Sequence, residues 1–329
     1  MRLRETKEEE QMILLAETKE CSIFQMKNDT GEGIMTMYQV FPGASISYND
    51  YHMESFDSTY ATNRNLFCID HCREGRLEYV SEPGAYSYVE AGDLKLDRRI
   101  EHQGHFEFPL AHYHGLTVSF DMDQAQVALK EEIREFPIDL HRLQKKFCGG
   151  KQPLIIHNAP AIEHIFSELY MVPAKIRIPY FKIKIFELLL YLDVLELPHK
   201  LEERPYFYKN QVEKIKAMQK LMTENLERHY TQEELSEHFD IPLTPMKNCF
   251  KTVYGNPINT YMRIYRMNQA AVLLKNRKDI SVTEIAGKVG YDSPGKFSAV
   301  FKAVTGKSPL EYRKIFGPNE IKQTNKEGD

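Results

Sequence analysis

Hydrophobic and polar positions in the C-terminal third of the chain follow a pattern that occurs twice in succession. Thr231 and Ser281 each stand three positions before a Glu and four before an apolar residue, a spacing typical of a capped helix N-terminus. Another apolar residue follows four positions later in both copies, which predicts a short helix with one buried stripe. The two copies span about 231–255 and 281–306.

Each short helix is followed by a residue type that readily adopts the left-handed backbone conformation, Asp240 in the first copy and Gly290 in the second. The helix after this turn has apolar residues four positions apart in both copies: Met246 and Phe250, then Phe297 and Phe301. A helix, a tight turn and a second helix predict a helix-turn-helix, whose second helix usually lies in a DNA major groove.

Residues within and between the copies resemble the C-terminal signature of AraC/XylS-type transcriptional regulators. The matching positions are Arg266-Met267, Ala270-Ala271, Leu273-Leu274, Ile285-Ala286, Val289-Gly290-Tyr291, Phe297, Phe301-Lys302, Gly306, Ser308-Pro309 and Tyr312-Arg313. The resemblance covers about a third of the chain and is specific, because many positions fall in order at the expected spacing. It implies a DNA-binding domain over residues 206–316.

The residues expected to contact double-stranded DNA lie on the second helix of each copy, opposite its apolar stripe. In copy one these are Thr244, Lys247, Asn248 and Lys251, and in copy two Gly295, Lys296, Ser298, Ala299 and Lys302. Asn can bond an adenine edge in two places and Lys can donate to guanine or to phosphate. The alternative for each lysine is a solvated surface charge.

Residues 34–121 lack a helical period and are rich in aromatic and β-branched residues broken by turn signals, which predicts an antiparallel sandwich or barrel. The expected strands are 34–41, 45–48, 66–72, 76–80, 85–89, 93–97 and 116–120. A charged stretch up to Glu20 is predicted to be helical. Helices are further expected at 124–136, 160–171, 179–197, 210–228 and 258–276.

This arrangement resembles the cupin-type sensor half of many regulators of the same family. The resemblance implies an α+β fold: an N-terminal cupin-like β-barrel with following helices, and a C-terminal all-α domain with two helix-turn-helix motifs. A small barrel can enclose one small ligand. We predict that Tyr38, His71 and Arg76 contact such an effector, since each offers a donor on or beside a predicted strand. Each is equally compatible with an outward or structural position.

Four histidines, His102, His105, His112 and His114, raise the alternative of a metal site, because imidazole is a common ligand. Enzymatic cupins carry a tight His-x-His with a Glu a few residues further on. Here His112-Tyr-His114 has this spacing, but no carboxylate follows it until Asp121. We therefore expect no metal, no cofactor and no catalytic residue. Cys68 and Cys72 are expected to be buried thiols, because four residues of one strand span about 13 Å, beyond the reach of a disulfide.

The predicted helix 179–197 carries a stripe at four-three-four-three spacing: Phe181, Ile185, Leu188, Leu192 and Leu195. Such a stripe packs against a barrel or against its copy in a second subunit, and the family resemblance favours the homodimer. Residues 198–205 break the pattern and are the expected linker. The chain thus divides into a sensing and dimerisation domain (1–205), the DNA-binding domain (206–316) and a flexible polar tail (317–329).

Charge is distributed unevenly along the 329 residues. The segment 205–316 has 18 Lys and Arg against 11 Asp and Glu, a net charge of +7, whereas the rest of the chain carries −11. The basic excess lies where phosphate binding requires it. The N-terminus has no apolar signal-peptide core and no apolar run is long enough for a membrane span, so a cytoplasmic location is expected. Five cysteines without metal-ligand spacing suit a reducing compartment.

These features predict a sequence-specific transcriptional regulator that responds to a small-molecule effector. Most such regulators activate, so the resemblance favours activation and RNA polymerase as a further partner. Two alternatives remain open: a ligand-independent regulator whose barrel is a dimerisation scaffold, and a metal-dependent cupin enzyme with an appended DNA-binding half. The sequence identifies neither the effector, the operator, the target genes nor the sign of regulation.

Overall fold

The structure is a computed structural model and describes residues 11–58, 64–82, 85–99, 104–150, 152–157, 160–197 and 207–317. The chain forms two compact units, residues 1–209 and 210–329. The predicted linker 198–205, the boundary at Tyr206, His102 and the tail from 318 onward lie outside the described residues.

The described residues of the first unit form twelve antiparallel strands and four α-helices, and the last two strands, both short, lie among and after the helices in the chain. The strands are β1 Gln11–Glu17, β2 Cys21–Asn28, β3 Gly31–Phe41, β4 Ala44–His52, β5 Ser55–Ser58, β6 Leu66–Glu82, β7 Ala85–Glu90, β8 Leu94–Arg99, β9 Gly104–Glu107, β10 Tyr113–Asp121, β11 Leu154–Ile156 and β12 Phe207–Tyr208. The helices are α1 Met122–Glu132, α2 Leu140–Phe147, α3 Pro160–Leu169 and α4 Arg177–Val194.

The strands pair in the order β1-β2-β3-β4-β10-β6, and β6 then pairs with β8 through its first half and with β7 through its second. The result is a half-barrel. The second unit is all-helical: α5 Lys209–Glu224, α6 Gln232–Phe239, α7 Leu243–Tyr254, α8 Ile258–Asn276, α9 Val282–Lys288, α10 Pro294–Thr305 and α11 Pro309–Phe316.

Two predictions about the first unit are wrong. The charged lead-in is not helical where it is described, because β1 pairs along β2 as an edge strand. The predicted strands 66–72 and 76–80, which the turn signal Glu74-Gly75 was expected to separate, form one long strand, β6, with a bulge beside that position. The register against β10 shifts between Cys72 and Glu74, and Gly75 beside this bulge has φ +87°. The chain therefore kinks here without ending the strand.

The two faces of the half-barrel have different neighbours: helices pack on one face and a cavity lies against the other. Ile46 and Tyr48 of β4 pack with the helices α1 to α4 in one large apolar core. Ser47, Asn49 and Tyr51 alternate with them and point to a cavity on the opposite face. Strand parity therefore separates residues that hold the helices from residues that can meet a ligand.

The apolar stripe of α4 belongs to the core of its own subunit. Phe181, Ile185, Leu188 and Leu192 are each 0% exposed and pack with the half-barrel core. The predicted dimer seam along this stripe is therefore wrong, because the face is already occupied. A different α4 face is exposed and carries Ile183, Leu190 and Val194.

Each copy of the repeated motif has its own core in the second unit. Met267, Ala270 and Leu274 of α8 pack against the second copy, while Tyr261 near the start of α8 packs against Phe250 and Tyr254 of the first. The long helix thus joins the two motifs, with the predicted bounds 258–276. No helix in the described parts of the chain combines the length and hydropathy that crossing a membrane requires.

Candidate DNA interface and barrel cavity

Both copies of the repeated motif begin with a side-chain cap on the first helix. Thr231 Oγ1 accepts a hydrogen bond from the Glu234 N–H at 3.1 Å, and the Glu234 carboxylate accepts one from the Thr231 N–H at 2.7 Å. Ser281 and Glu284 make the same two contacts at 3.1 and 2.6 Å. The predicted capping boxes are confirmed, and they fix where α6 and α9 begin.

The turn after the first helix is left-handed in both copies, as predicted. Asp240 has φ 49° and Gly290 has φ 81°. A Cβ at Gly290 would lie 2.5 Å from the Leu226 carbonyl oxygen, so this turn also brings two backbone segments into close approach. Glycine is required there for space as well as for conformation.

The second helix of the first copy, α7, has one apolar and one polar face. Its buried face carries Met246, Phe250 and Val253. The four predicted DNA contacts lie on the other face and all are exposed: Thr244, Lys247, Asn248 and Lys251. Asn248 therefore presents both a donor and an acceptor to solvent, the pair of groups that an adenine edge can satisfy.

The second helix of the second copy, α10, presents shorter side chains. Phe297 and Phe301 are buried below it. Of the predicted contacts, Gly295, Lys296, Ala299 and Lys302 are exposed and Ser298 is half-buried. The exposed face thus offers two lysines but few groups that can discriminate bases.

A cavity of about 250 Å³ lies against the inner face of the half-barrel. Its apolar lining includes Met12, Phe24, Met26, Met35, Met37, Phe56, Leu66, Cys68, Leu77, Phe106 and Phe108. Its polar lining is Ser47, Asn49, Tyr51, Asp70, Lys95, Arg99, Tyr113, Thr117 and Ser119. Mostly apolar walls with a few convergent polar groups are typical of small-molecule sites.

The polar side of this cavity is a buried charge network centred on Asp70. Lys95 Nζ donates to Asp70 Oδ2 at 3.1 Å and to Asp97 Oδ2 at 2.5 Å, and Arg99 donates to both carboxylates. Thr117 Oγ1 also donates to Asp70 at 2.6 Å. Burial alone would raise the pKa of Asp70, but Arg99 and Lys95 outweigh it and lower that pKa to about 2. Two anions and two cations therefore balance each other in the wall.

Two of the three predicted ligand residues, Tyr38 and His71, lie on the face of the sheet that the helices cover, opposite the cavity. Tyr38 packs edge-on against Phe181 of α4 and accepts a hydrogen bond from Arg177 at 2.7 Å. His71 stacks on Phe166 of α3 with ring centroids 4.5 Å apart, and burial lowers its pKa although Glu163 lies 3.1 Å away. Both side chains hold helices to the half-barrel, so their position supports a structural role.

Arg76, the third predicted ligand residue, is buried and ion-paired. Its Nη1 donates to Glu90 Oε2 at 2.7 Å, and its guanidinium lies 5.8 Å from the Tyr88 ring centroid. It is not among the described residues that line the cavity. Sequence reasoning missed Lys95 and Arg99, which do line it. The sequence does contain a signal for them: Lys95, Asp97 and Arg99 are charged residues at every second position of a short strand. Alternate residues of a strand share a face, so these three side chains lie together.

The described histidines of the barrel do not gather at one point. His105 pairs with Asp57 at 2.7 Å, and His114 packs against Tyr170. Among the residues that the structure describes, one group could hold an ion, Asp50, His52 and His112, whose donor atoms lie within 4.8 Å of one another on the surface.

The two cysteines that suggested a redox pair are both buried in β6. Burial raises the pKa of Cys68 and of Cys72 to about 12. The prediction of buried thiols is confirmed. Thiols of this kind are inert at neutral pH.

Comparison with known proteins places the C-terminal motif in a family. Residues 235–315 match the family model for a helix-turn-helix domain. The F1 operon positive regulatory protein of Yersinia pestis is 41% identical over 66 residues, which is 20% of this chain and 22% of that protein. The transcriptional regulatory protein YesN of Bacillus subtilis is 41% identical over 69 residues, 21% of this chain and 19% of that protein. The C-terminal unit therefore contains an AraC-type helix-turn-helix domain.

The matched segments span only about a fifth of these two relatives. The Msm operon regulatory protein of Streptococcus mutans aligns more widely, with 24% identity over 292 residues, 85% of this chain and 98% of that protein. Among solved structures, the C-terminal domain of AraT, a response regulator from Geobacillus stearothermophilus, is 24% identical with a TM-score of 0.32, over 34% of this chain and 93% of that chain.

Proposed function

We propose that this chain is a DNA-binding transcriptional regulator. The observation that carries the proposal is the pair of capped helix-turn-helix units, joined by one long helix, each with its second helix exposed. Two such helices can enter successive major grooves, which lie about 34 Å apart along the duplex. The net charge of +7 over residues 205–316 favours DNA binding, because cationic side chains that neutralise phosphates release counterions from the duplex.

The two motifs are proposed to contribute unequally to recognition. The first copy presents Asn248 to the groove, whereas the second presents Ala299 at a position where relatives of this type often carry a long polar or basic side chain. Replacing Asn248 with Ala is expected to cost about 1–3 kcal/mol at the preferred operator and to relax base preference at one position. Replacing Lys302 with Ala is the control, which should weaken all sequences equally and reduce the salt slope by about one.

The experiment selects genomic fragments bound by the full chain and then measures binding to operators randomised separately in each half. A larger loss is expected from the half under α7. Equal losses from the two halves, or a larger loss under α10, would contradict the asymmetry. Absence of any selected fragment at low salt would contradict the proposed function itself.

The cavity of the half-barrel is proposed to bind a small-molecule effector that is largely apolar and uncharged. Lys95 and Arg99 are already satisfied by Asp70 and Asp97, so an anionic ligand would have to break a buried ion pair, which is costly. Methionine-rich walls adapt to irregular apolar shapes. Ser119 shares a hydrogen bond with Ser45 at 2.7 Å and Tyr51 donates to Asn49 at 3.2 Å. Their oxygens, like that of Ser47, can still accept a hydrogen bond from a ligand hydroxyl.

A thermal-shift screen with matched pairs of an aromatic alcohol and its carboxylate tests this ligand class. The alcohol should raise the melting temperature, since a ligand at about 100 times its Kd stabilises the folded state by roughly 2.7 kcal/mol. Met37→Trp fills the cavity and should abolish the shift, whereas Val127→Trp, on an exposed face of α1, should preserve it. A response to the carboxylates alone would contradict the proposal, and no response from any compound would favour a barrel that is only a scaffold.

The remaining assignments follow from this proposed role. Activation, with RNA polymerase as partner, rests on resemblance, and one relative is named as a positive regulatory protein. A non-enzymatic, cytoplasmic protein is what a DNA-binding regulator implies, and metal analysis of the purified chain tests the enzyme alternative. The homodimer stays a prediction; the exposed face of α4 with Ile183, Leu190 and Val194 is the candidate surface, and sedimentation equilibrium of the full chain tests it.

A further inference from the structure

A second cavity, of about 340 Å³, lies in the C-terminal unit where the segment before the first copy meets α8 and the second copy. Its lining comes from the segment that leads into the first copy, from the N-terminal half of α8 and from the turn of the second copy. The lining residues are Met222, Arg228, His229, Tyr230, Ile258, Asn259, Met262, Arg263, Arg266 and Tyr291. An occupant would therefore touch the segment that enters the first copy, the connecting helix α8 and the turn of the second copy.

The charged lining of this cavity is entirely basic among the described residues. Three arginines and a histidine contribute to it, and no Asp or Glu does. Arg228 has one carboxylate within ion-pair distance, Glu234 at 3.7 Å, and also lies over the Tyr230 ring. Arg263 is exposed and makes no ion pair within the described parts of the chain. The cavity therefore carries a positive potential that its own walls do not neutralise.

Arg266 is the buried member of the group, with 7% of its surface exposed. Its Nη1 donates to His229 Nδ1 at 3.0 Å and its Nη2 donates to the Arg228 carbonyl oxygen at 2.9 Å. Its buried Nε has no hydrogen-bond partner, and no carboxylate among the described residues pairs with the guanidinium. Burial accordingly lowers the pKa of Arg266. A buried cation without a counterion is costly unless an anion joins it.

The contacts of His229 fix the orientation of its ring in the cavity wall. Because Nδ1 accepts from Arg266, the ring proton lies on Nε2, which donates to the Gly290 carbonyl oxygen at 2.5 Å. His229 thus uses both ring nitrogens for contacts within the protein. The three guanidiniums therefore supply the positive charge, and guanidinium is the group that best matches the geometry of phosphate oxygens.

We propose that this cavity binds a phosphate-type anion through Arg228, Arg263 and Arg266. One source is a backbone phosphate of the duplex between the two recognition helices, and this version rests on the proposed DNA-binding function. The other source is a free phosphate or phosphorylated small molecule. Either occupant would couple the two motifs, since Arg266 and His229 already connect the entry of the first copy to the turn of the second.

Arg263→Ala in the full chain tests the duplex version, with Lys275→Ala as the matched control. Lys275 is an exposed cation in the last turn of the same helix and does not line the cavity. We expect Arg263→Ala to weaken binding to all DNA sequences about equally and to reduce the slope of log affinity against log salt by about one unit. Lys275→Ala should leave the slope unchanged.

Inorganic phosphate tests the free-anion version by thermal shift, with sodium chloride at matched ionic strength as reference. If the anion comes from solution, phosphate raises the melting temperature of the wild type more than that of Arg263→Ala, while the DNA salt slopes of both variants agree. If neither the salt slope nor the phosphate shift distinguishes Arg263→Ala from Lys275→Ala, the inference is overturned. Failure of the wild type to bind any DNA would instead overturn the proposed function, and the phosphate measurement would then decide this site alone.

Discussion

Asp70→Ala is expected to lower the free energy of unfolding of the first unit by about 3–5 kcal/mol, because it leaves two buried cations with one counterion. Asp70 is 5% exposed and accepts from Lys95, Arg99 and Thr117. Urea denaturation followed by circular dichroism measures the loss, and hydrogen exchange assigns it to the first unit. Any effector response should be lost with it, since the same network forms the polar wall of the cavity.

Asp50→Ala is the control for this prediction, because it removes the same side chain from the same sheet at an exposed position. Asp50 is paired only with exposed His52 at 3.2 Å among the described residues, so its loss should cost under about 1 kcal/mol. Equal losses from the two variants would show that Asp97 alone neutralises Lys95 and Arg99.

The stabilisation from Asp70 should also depend on pH in a defined direction. Its pKa is lower in the folded state, about 2, than the ordinary aspartate value near 4. The contribution is therefore fully present above pH 5 and is lost progressively as the pH falls towards 2. The difference between wild type and Asp70→Ala should shrink over that range. A difference that stays constant from pH 7 to pH 3 would contradict the network described here.

The helical unit was largely predictable from sequence because its determinants are local. Capping boxes at Thr231 and Ser281, left-handed residues at Asp240 and Gly290, and apolar stripes at a spacing of four each act within a few residues. They define which face of α7 and of α10 is buried, and hence which side chains are exposed. The helix 258–276 ends where predicted for the same reason.

The half-barrel was harder because its organisation depends on pairing between distant residues. Nothing local marks β1 as a strand, since its pairing with β2 decides the conformation. Gly75 carries the signal of a turn, yet β6 pairs with β10 up to Gly75 and with β7 from Arg76 onward, which keeps the strand continuous. One face of the sheet packs against helices and the other lines the cavity. Polar residues occur on both faces, so polarity alone does not show that Tyr38 and His71 face the helices.

Gly290→Ala is expected to destabilise the second helix-turn-helix by about 3 kcal/mol, from two separable causes. Its φ of +81° is a conformation that costs a residue with a Cβ roughly 1–2 kcal/mol. The added Cβ would also lie 2.5 Å from the Leu226 carbonyl oxygen and 3.2 Å from His229 Nε2, and backbone cannot yield as a flexible side chain does. The displaced turn would carry α10 with it, so operator affinity should fall chiefly in the half under the second copy.

Gly306→Ala separates these two causes. Gly306 ends α10 with φ +76°, but nothing lies within 4 Å of the Cβ that alanine would add there. This variant therefore meets the backbone cost alone and should lose about 1–2 kcal/mol. Denaturation of both variants, with operator binding measured beside it, gives the contribution of the close approach by difference. If Gly290→Ala lost no more than Gly306→Ala, the close approach of Leu226 and His229, which precede the first copy, would not constrain the turn of the second copy.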